Sequence, residues 1–307
     1  MYYLGVDIGG TKTAVCVGSS LGVILKKEQF PTHGTPDEVI NRCFTIIDEF
    51  LETLDNHPSA IGISCGGPLD STRGIIQRPP NLPLWDEIEI VRLFEERFGI
   101  PTYLENDANA GALAEWYWGA GQGASSLIFL TFGTGLGAGL ILDGRLYRGV
   151  SGLAGEVGHI RIADDGPECY HKSGSWEGYS SGCGISGLYE QATNNVLSAK
   201  EVCDLAEQKD PVARSVIEQS ATKLGHGLAI LIDLLNVERI IIGSIFQRRE
   251  ELFRPKMEEV IKSEALKASS AACTILPAAL GAALGDLAAL GIARDNDQRR
   301  NIHDRPV

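Results

Sequence analysis

Short apolar runs that end at glycine or at an acid alternate along this chain with longer stretches of helical periodicity. Tyr2-Tyr3-Leu4-Gly5-Val6 leads into Asp7-Ile8-Gly9-Gly10-Thr11-Lys12, and a second apolar run, Ala14-Val15-Cys16-Val17, follows. The pattern predicts a strand, a tight turn and a returning strand. A third strand is expected over 21–25. Thr35-Pro36-Asp37-Glu38 has the form of a helix start, with Thr35 as N-cap and proline at N1. Val39, Ile40, Cys43, Phe44, Ile46, Ile47, Phe50 and Leu51 then trace one helical face. Residues 61–68 read as a strand running into a loop, 87–98 as a helix that Gly99 can close, 101–106 as a strand, and 107–118 as an alanine-rich helix.

From residue 126 the opening pattern recurs. A buried-type strand meets Gly133-Thr134-Gly135, and an apolar run returns to Leu142. The glycine-rich stretch 119–125 marks a domain boundary, and two copies of one hairpin suggest a duplicated domain with nucleotide held between the halves. Residues 148–187 are polar and glycine-rich with little periodicity, and a loop of that length is usually functional. Helices are expected over 199–207, 210–236, 249–265 and 280–294, with strands at 239–243 and 274–276. The charged tail 295–307 is expected to be loose. Alternating strands and helices indicate the α/β class.

The hairpins carry the first chemistry. Gly9 and Gly10 permit positive φ and leave no Cβ in the way, so backbone N–H groups can approach an anion. Thr11 adds a hydroxyl donor. Asp7 stands where a magnesium ion on a phosphate needs a carboxylate, direct or through water. A lone Gly-Gly hairpin is better read as an unliganded type I′ turn; its recurrence at 133–135 strengthens the phosphate reading. Asp107 follows Asn106 at a strand end and helix start, which aims its carboxyl rigidly. Taken alone it would be an N-cap.

Composition narrows the class. The chain has 307 residues, 44% hydrophobic and 22% charged, enough for two domains with buried cores. A net charge of −13 excludes general attraction to nucleic acid or anionic lipid. No apolar run reaches the roughly 18 residues of a membrane span, and no signal peptide is seen. Seven scattered cysteines, an odd number, read as reduced thiols, so a cytoplasmic location is expected.

Five motifs occur in order: Asp7-Ile8-Gly9-Gly10-Thr11-Lys12, Glu105-Asn106-Asp107-Ala108-Asn109-Ala110, the glycine loop 133–139, Gly155-Glu156-Val157-Gly158-His159, and Glu177-Gly178-Tyr179-Ser180-Ser181-Gly182. Together, from residue 3 to about 292, they resemble the ROK family of bacterial sugar kinases and sugar-responsive repressors, within the actin-like ATPase superfamily. The resemblance implies two actin-like (ribonuclease H-like) α/β domains with a nucleotide and sugar cleft between them. These are placed at 1–118 and 119–291, and a C-terminal helix at about 292–307 could complete the first. It implies ATP-dependent, glucokinase-like phosphorylation of a hexose or N-acetylhexosamine hydroxyl, that on C6, with Asp107 as general base. Asn106, Glu156, His159 and Glu177 would contact the sugar. Gly67, in the loop after the 61–65 strand, could let a sugar approach the backbone, although a plain turn before Pro68 explains it more simply. ATP and Mg²⁺ would be held by Asp7, Gly9, Gly10, Thr11, Lys12, Thr131, Gly133, Thr134, Gly135 and Gly243, with serine at 244 where the family often has a second glycine. Lys12 also fits a plain surface hairpin. A homodimer or homotetramer is expected, without nucleic-acid or membrane partners.

One departure stands out. Zinc-binding members carry a His and three cysteines in a C-x-C-G-x-x-G-C-x-E pattern. Here the segment reads Cys169-Tyr170-His171-Lys172-Ser173-Gly174-Ser175-Trp176-Glu177. His159 and Cys169 match, His171 and Ser175 replace the other cysteines, and one residue is missing. No firm metal ligand is assigned; His159, Cys169 and His171 are the zinc candidates. Without zinc, Trp176 and Tyr179 would anchor this loop. The alternative reading is a sugar-sensing, non-catalytic relative or a repressor-type protein. Repressors place a DNA-binding helix-turn-helix before the first hairpin, which here begins almost at Met1.

Overall fold

The computed structural model describes residues 1–303, with side chains to 301. The chain forms two compact units. One comprises 1–122, 149–152 and the segment from Leu280 onward; the other comprises 123–148 and 153–279.

The first unit is built on a five-stranded sheet. Its strands are β1 (Tyr2–Ile8), β2 (Lys12–Ser19), β3 (Ile24–Pro31), β4 (Ile61–Cys65) and, after the two-residue strands β5 (Leu69–Asp70) and β6 (Ile75–Ile76), β7 (Thr102–Asn106). The order across the sheet is β3-β2-β1-β4-β7. β1–β2 and β2–β3 are antiparallel, whereas β1–β4 and β4–β7 are parallel. All of β4 is buried, as expected of a parallel strand covered on both faces, while the edge strand β3 alternates half-buried and exposed positions. Helix α1 (Pro36–Leu51) starts with the expected capping box at Thr35 and Glu38 and buries Val39, Ile40, Cys43, Ile46, Ile47 and Phe50 against the sheet. Helix α2 (Ile90–Phe98) ends at Gly99, whose φ of 65° is the left-handed closure a glycine supplies. Helix α3 (Asp107–Trp118) follows β7 directly.

The second unit repeats this plan. Its sheet contains β8 (Leu127–Phe132), β9 (Leu136–Leu142), β10 (Arg145–Leu146), then, after the short hairpin β11 (Glu168–Cys169) and β12 (Lys172–Ser173), β13 (Arg239–Ile242) and β14 (Thr274–Pro277). The order is β10-β9-β8-β13-β14. Two antiparallel pairings are again followed by two parallel ones. The recurrent hairpin in the sequence is therefore a structural duplication. Helices α4 (Gly182–Thr193), α5 (Ala199–Glu207), α6 (Pro211–Leu235), α7 (Ser244–Glu264) and α8 (Lys267–Ala272) accompany it. The core joins Ile128, Leu130 and Phe132 of β8 to Leu224, Leu228 and Ile232 of α6 and to Phe246, Phe253 and Met257 of α7. Helix α7 begins five residues before the predicted start at 249, and Arg249 instead sits at a kink with φ −137° and ψ 31°.

The C-terminal segment departs from expectation. Helix α9 (Leu284–His303) is preceded by a 3₁₀ turn, Gly281–Ala283, and the first unit takes back the chain at Leu280, ahead of the expected boundary at 291. The segment read as a loose tail is helical through 303; residues 304–307 lie outside the described residues. Its charges misled the reading because two of them are buried and bonded. Tyr3 donates to Asp297 at 3.2 Å and Tyr117 to Asp295 at 3.0 Å, while Arg299 pairs with Asp295 at 2.8 Å. Strand 3 also starts later than predicted, at Ile24, because Gly22 turns the chain with φ 79°.

Helix α9 lies directly on β1 and β4. A Cβ on Gly62 would stand 2.0 Å from the Ala289 carbonyl oxygen and 2.7 Å from the Ala293 nitrogen. Because both obstacles are backbone, Gly62→Ala has to push the helix off the sheet, an overpacking that costs about 1–3 kcal/mol. Thermal unfolding followed by circular dichroism should show a clear fall in Tm; an unchanged Tm would contradict this packing.

Candidate active site

The parallel strands of the first unit bring its candidate residues to one edge. Asp7 of β1 stands in register with Ser64 of β4, and Cys65 of β4 with Asn106 of β7. Asp7, the Gly66-Gly67 loop and Asn106-Asp107 thus share the carboxyl ends of β1, β4 and β7, the usual ligand position of open α/β sheets. Gly67 is exposed, and a Cβ there would meet nothing within 4 Å. Asp107 is the first residue of α3 and is exposed, whereas Ala108, Asn109 and Ala110 behind it are buried. The N-cap is Asn106, whose Oδ1 accepts from the Asn109 amide at 2.7 Å.

Asp7 is the electrostatic centre of this edge. Burial first, then the neighbouring Asp286 and Asp107, push its carboxyl up to about 6 against a hydrogen bond from Ser64 and the charge of Lys12. Asp286 was not singled out from the sequence. It belongs to α9, is buried, and pairs with Lys27 of β3 at 2.6 Å. The signal was there: an acid in the otherwise apolar run Leu284-Gly285-Asp286-Leu287-Ala288-Ala289-Leu290. Gly285 beside it is needed for contact, since a Cβ there would lie 2.3 Å from Asp7 Oδ2.

The first turn differs from expectation in one respect. Neither Gly9 nor Gly10 has positive φ, so it is not a type I′ turn. Glycine is required there for room. A Cβ on Gly10 would fall 2.8 Å from the backbone oxygen of Asn81, and one on Gly9 would fall 3.1 Å from that of Lys12. The Gly9 amide donates to the Lys12 carbonyl at 3.0 Å and closes the hairpin. Thr11 and Lys12 are exposed at its tip.

The second unit assembles its residues around the 133–135 turn. Thr131 Oγ1 accepts from the Gly137 amide at 3.0 Å. The Gly182 amide donates to the Gly133 carbonyl at 2.7 Å, and the Cys183 amide to the Thr134 carbonyl at 3.1 Å, so the start of α4 abuts the turn. The start of α7 abuts it too: Gly243 donates to the Leu130 carbonyl at 2.9 Å, and a Cβ on Gly133 would meet Ser244 Oγ at 3.4 Å. Ser244 has φ 54°, a left-handed conformation that explains why glycine suits this position. Glu177 joins the turn to the polar loop. Its Oε2 accepts from the Leu136 amide at 2.8 Å and touches Gly135, where a Cβ would lie 2.6 Å away. Its own amide donates to the Gly158 carbonyl at 3.0 Å, beside the 3₁₀ turn Val157–His159. Glu156 precedes that turn and His159 ends it, both with exposed side chains. The loop anchors are as expected. Trp176 is fully buried with Gly227 against its ring, and the Tyr179 hydroxyl donates to the Asp165 carbonyl at 2.8 Å.

The two ions implied by these residues fare differently. Magnesium on a nucleotide phosphate takes one or two carboxylates and completes its shell with water and phosphate oxygen. A half-buried carboxyl beside two further acids fits it, because a cation offsets their repulsion; Asp7 would hold it, with Asp107 and Asp286 adding field. Zinc does not fit. His171 is fully exposed and faces Glu168 at 3.7 Å, and the Ser175 hydroxyl is engaged by the Gly178 amide at 3.2 Å. Cys169 is half-buried in the β11–β12 hairpin. Among the described residues no three His, Cys, Asp or Glu side chains converge as metal ligands.

Two duplicated units with this sheet order, each ending its central strands in a glycine turn, define an actin-like α/β kinase fold. The chain belongs to the ROK family, whose model matches residues 3–296. It is 31% identical to a glucokinase of Streptomyces coelicolor over 313 residues, covering 96% of this chain and 98% of that one. A ROK hexokinase structure from Thermus thermophilus superposes with a TM-score of 0.88 at 32% identity, covering 99% and 100% of the two chains. A ROK glucokinase from Streptomyces griseus, in complex with glucose and AMPPNP, superposes with a TM-score of 0.77 at 32% identity, covering 96% and 99%.

The raised Asp7 carboxyl has a consequence for stability. Its folded value, about 6, lies above the ordinary 3.8. The protonated form therefore contributes stability that is complete below pH 4 and lost as pH rises through 6. Asp7→Asn should raise stability at pH 7 by about 1–3 kcal/mol while abolishing turnover. Denaturation at pH 7 and pH 5 tests this: the gain should shrink at the lower pH, and a destabilised variant at pH 7 would refute it.

Proposed function

We propose that this ATP-dependent sugar kinase transfers the γ-phosphoryl group of ATP to a hexose or N-acetylhexosamine hydroxyl, that on C6, with Asp107 as general base. The observation that carries the reading is an exposed aspartate at a helix start, held at the same strand edge as the half-buried Asp7. Loss of the acceptor proton to Asp107 accompanies bonding of the acceptor oxygen to the γ-phosphorus, while the bond from that phosphorus to the β–γ bridging oxygen breaks and ADP leaves. The N-terminus of α3 favours the ionised carboxyl that this role requires. Bound magnesium would supply charge neutralisation at the phosphates.

In this reading the Asn106 side chain does two things. Its Oδ1 caps α3, and its Nδ2 can donate to a sugar hydroxyl. Glu156, His159 and Glu177 supply acceptors and donors for further hydroxyls, and the open backbone at Gly67 leaves room for the ring. The turn 133–135, with Thr131, Thr134 and Gly243, would receive the phosphates, together with Gly9, Gly10, Thr11 and Lys12. The helix start of α7, which has no side-chain cap, orients backbone N–H groups as anion binders do.

Asp107→Asn should keep sugar binding and lower kcat by at least ~10²-fold, the scale of lost general-base assistance. A variant with most of the wild-type kcat would exclude the assignment, and a wild-type chain that binds hexoses yet transfers no phosphate would favour the sugar-sensing alternative. A coupled assay across hexoses and hexosamines, with ATP or polyphosphate, identifies the acceptor and the donor. Activity after treatment with a strong chelator should return in full with magnesium alone; a requirement for added zinc would overturn the reading of the 169–177 loop.

A further inference from the structure

Two polar side chains next to Asp107 are buried and have no part in the chemistry described so far. Glu105 is 2% exposed and Asn109 is fully buried. Glu105 Oε1 accepts from the Asn106 amide at 3.1 Å and from Asn109 Nδ2 at 3.0 Å. The Asn109 amide in turn donates to Asn106 Oδ1 at 2.7 Å. Three hydrogen bonds thus enclose the one turn of chain that carries Asp107. The cluster is not what packing alone would select. Burying a carboxyl and an amide is costly, and Asn109 Oδ1 has no hydrogen-bond partner among the described residues. Alanine occupies the buried positions on either side, 108 and 110, and would fit the small-residue pattern of the helix at 109 as well.

We propose that Glu105 and Asn109 are positioning residues that hold the first turn of α3 so that the Asp107 carboxyl keeps its reactive direction. The proposal rests on Asp107 being the general base. Helix ends fray, because their first amides lack partners within the helix. Asp107 is exposed, with half-buried Asn106 before it and buried Ala108 after it, so a shift of the backbone in this turn moves its carboxyl. The buried carboxyl–amide pair adds a second tie between the end of β7 and Asn109, beside the one made by the Asn106 cap. Misplacement of a reacting group by about 1 Å can cost about 10²-fold in rate, so a modest loosening would be visible in kcat.

Glu105→Leu removes the acceptor and keeps an apolar filling; Glu105→Gln keeps an acceptor oxygen at the same reach. The expected result is a kcat at least roughly tenfold lower for Glu105→Leu, with the sugar KM changed by less than about threefold, and recovery of most of the activity in Glu105→Gln. Since the pair acts through Asp107, the double variant Glu105→Leu/Asp107→Asn should be no slower than Asp107→Asn alone. A folded Glu105→Leu with wild-type kcat, or a loss that multiplies in full on the Asp107→Asn background, overturns the proposal. The same comparison with Asn109→Ala decides the matter if Glu105→Leu does not fold. If Asp107→Asn itself turns over normally, the general-base reading fails and the proposal with it. If Asp107→Asn is slow but the losses multiply, only the positioning role fails.

Discussion

Close approach of helix backbone to strand backbone is the constraint on which the first unit depends. Gly5 and Gly62 face α9, and a Cβ on either would collide with Ala289 or its neighbours. Without side chains between them, α9 settles against β1 and β4 and carries Gly285 and Asp286 up to Asp7. The electrostatics of Asp7 therefore follow from packing. The sheet cannot lose the glycines without moving the helix, and the helix cannot move without changing the field at the strand end. Lys27 offsets part of the charge by pairing with Asp286.

The second unit solves its problem with hydrogen bonds instead. Its glycine turn is held from three sides: by the start of α4 through Gly182 and Cys183, by β9 through Thr131 and Gly137, and by Glu177 through Leu136. Gly155 and Gly158 let the polar loop cross the hairpin at backbone contact, since a Cβ on them would stand 1.9 Å from the Ala138 oxygen and 2.2 Å from the Leu136 oxygen. Glu177, the polar loop and the 133–135 turn are consequently one bonded body in this unit. Trp176 is packed into the core and Tyr179 is tied to Asp165, so packing and a hydrogen bond anchor the loop.

How much of this was legible beforehand depends on range. Motif order revealed the family, the hairpin duplication and the position of Asp107. The capping box at Thr35 and the glycine closure at Gly99 were readable because both are contacts between residues a few positions apart. The parts that were missed are long-range. Asp295 and Asp297 looked like a solvated tail, and only their bonds to Tyr117 and Tyr3 draw that segment into the fold as helix. Of the two reasons for glycine at 9 and 10, positive φ is not used, whereas the lack of a Cβ is demanded by Asn81 and Lys12.

The local sequence alone determined the α/β class, the two glycine turns and the placement of an acid at a helix start, because strand period, turn chemistry and capping act over a few residues. Tertiary structure alone decided which acids share the edge with Asp7, that Glu177 reaches the 133–135 turn, and that Glu105 and Asn109 close around the turn carrying Asp107. Those outcomes depend on strand register, helix contact and burial, which join residues far apart in the chain and impose their energetic terms only once the sheets have formed.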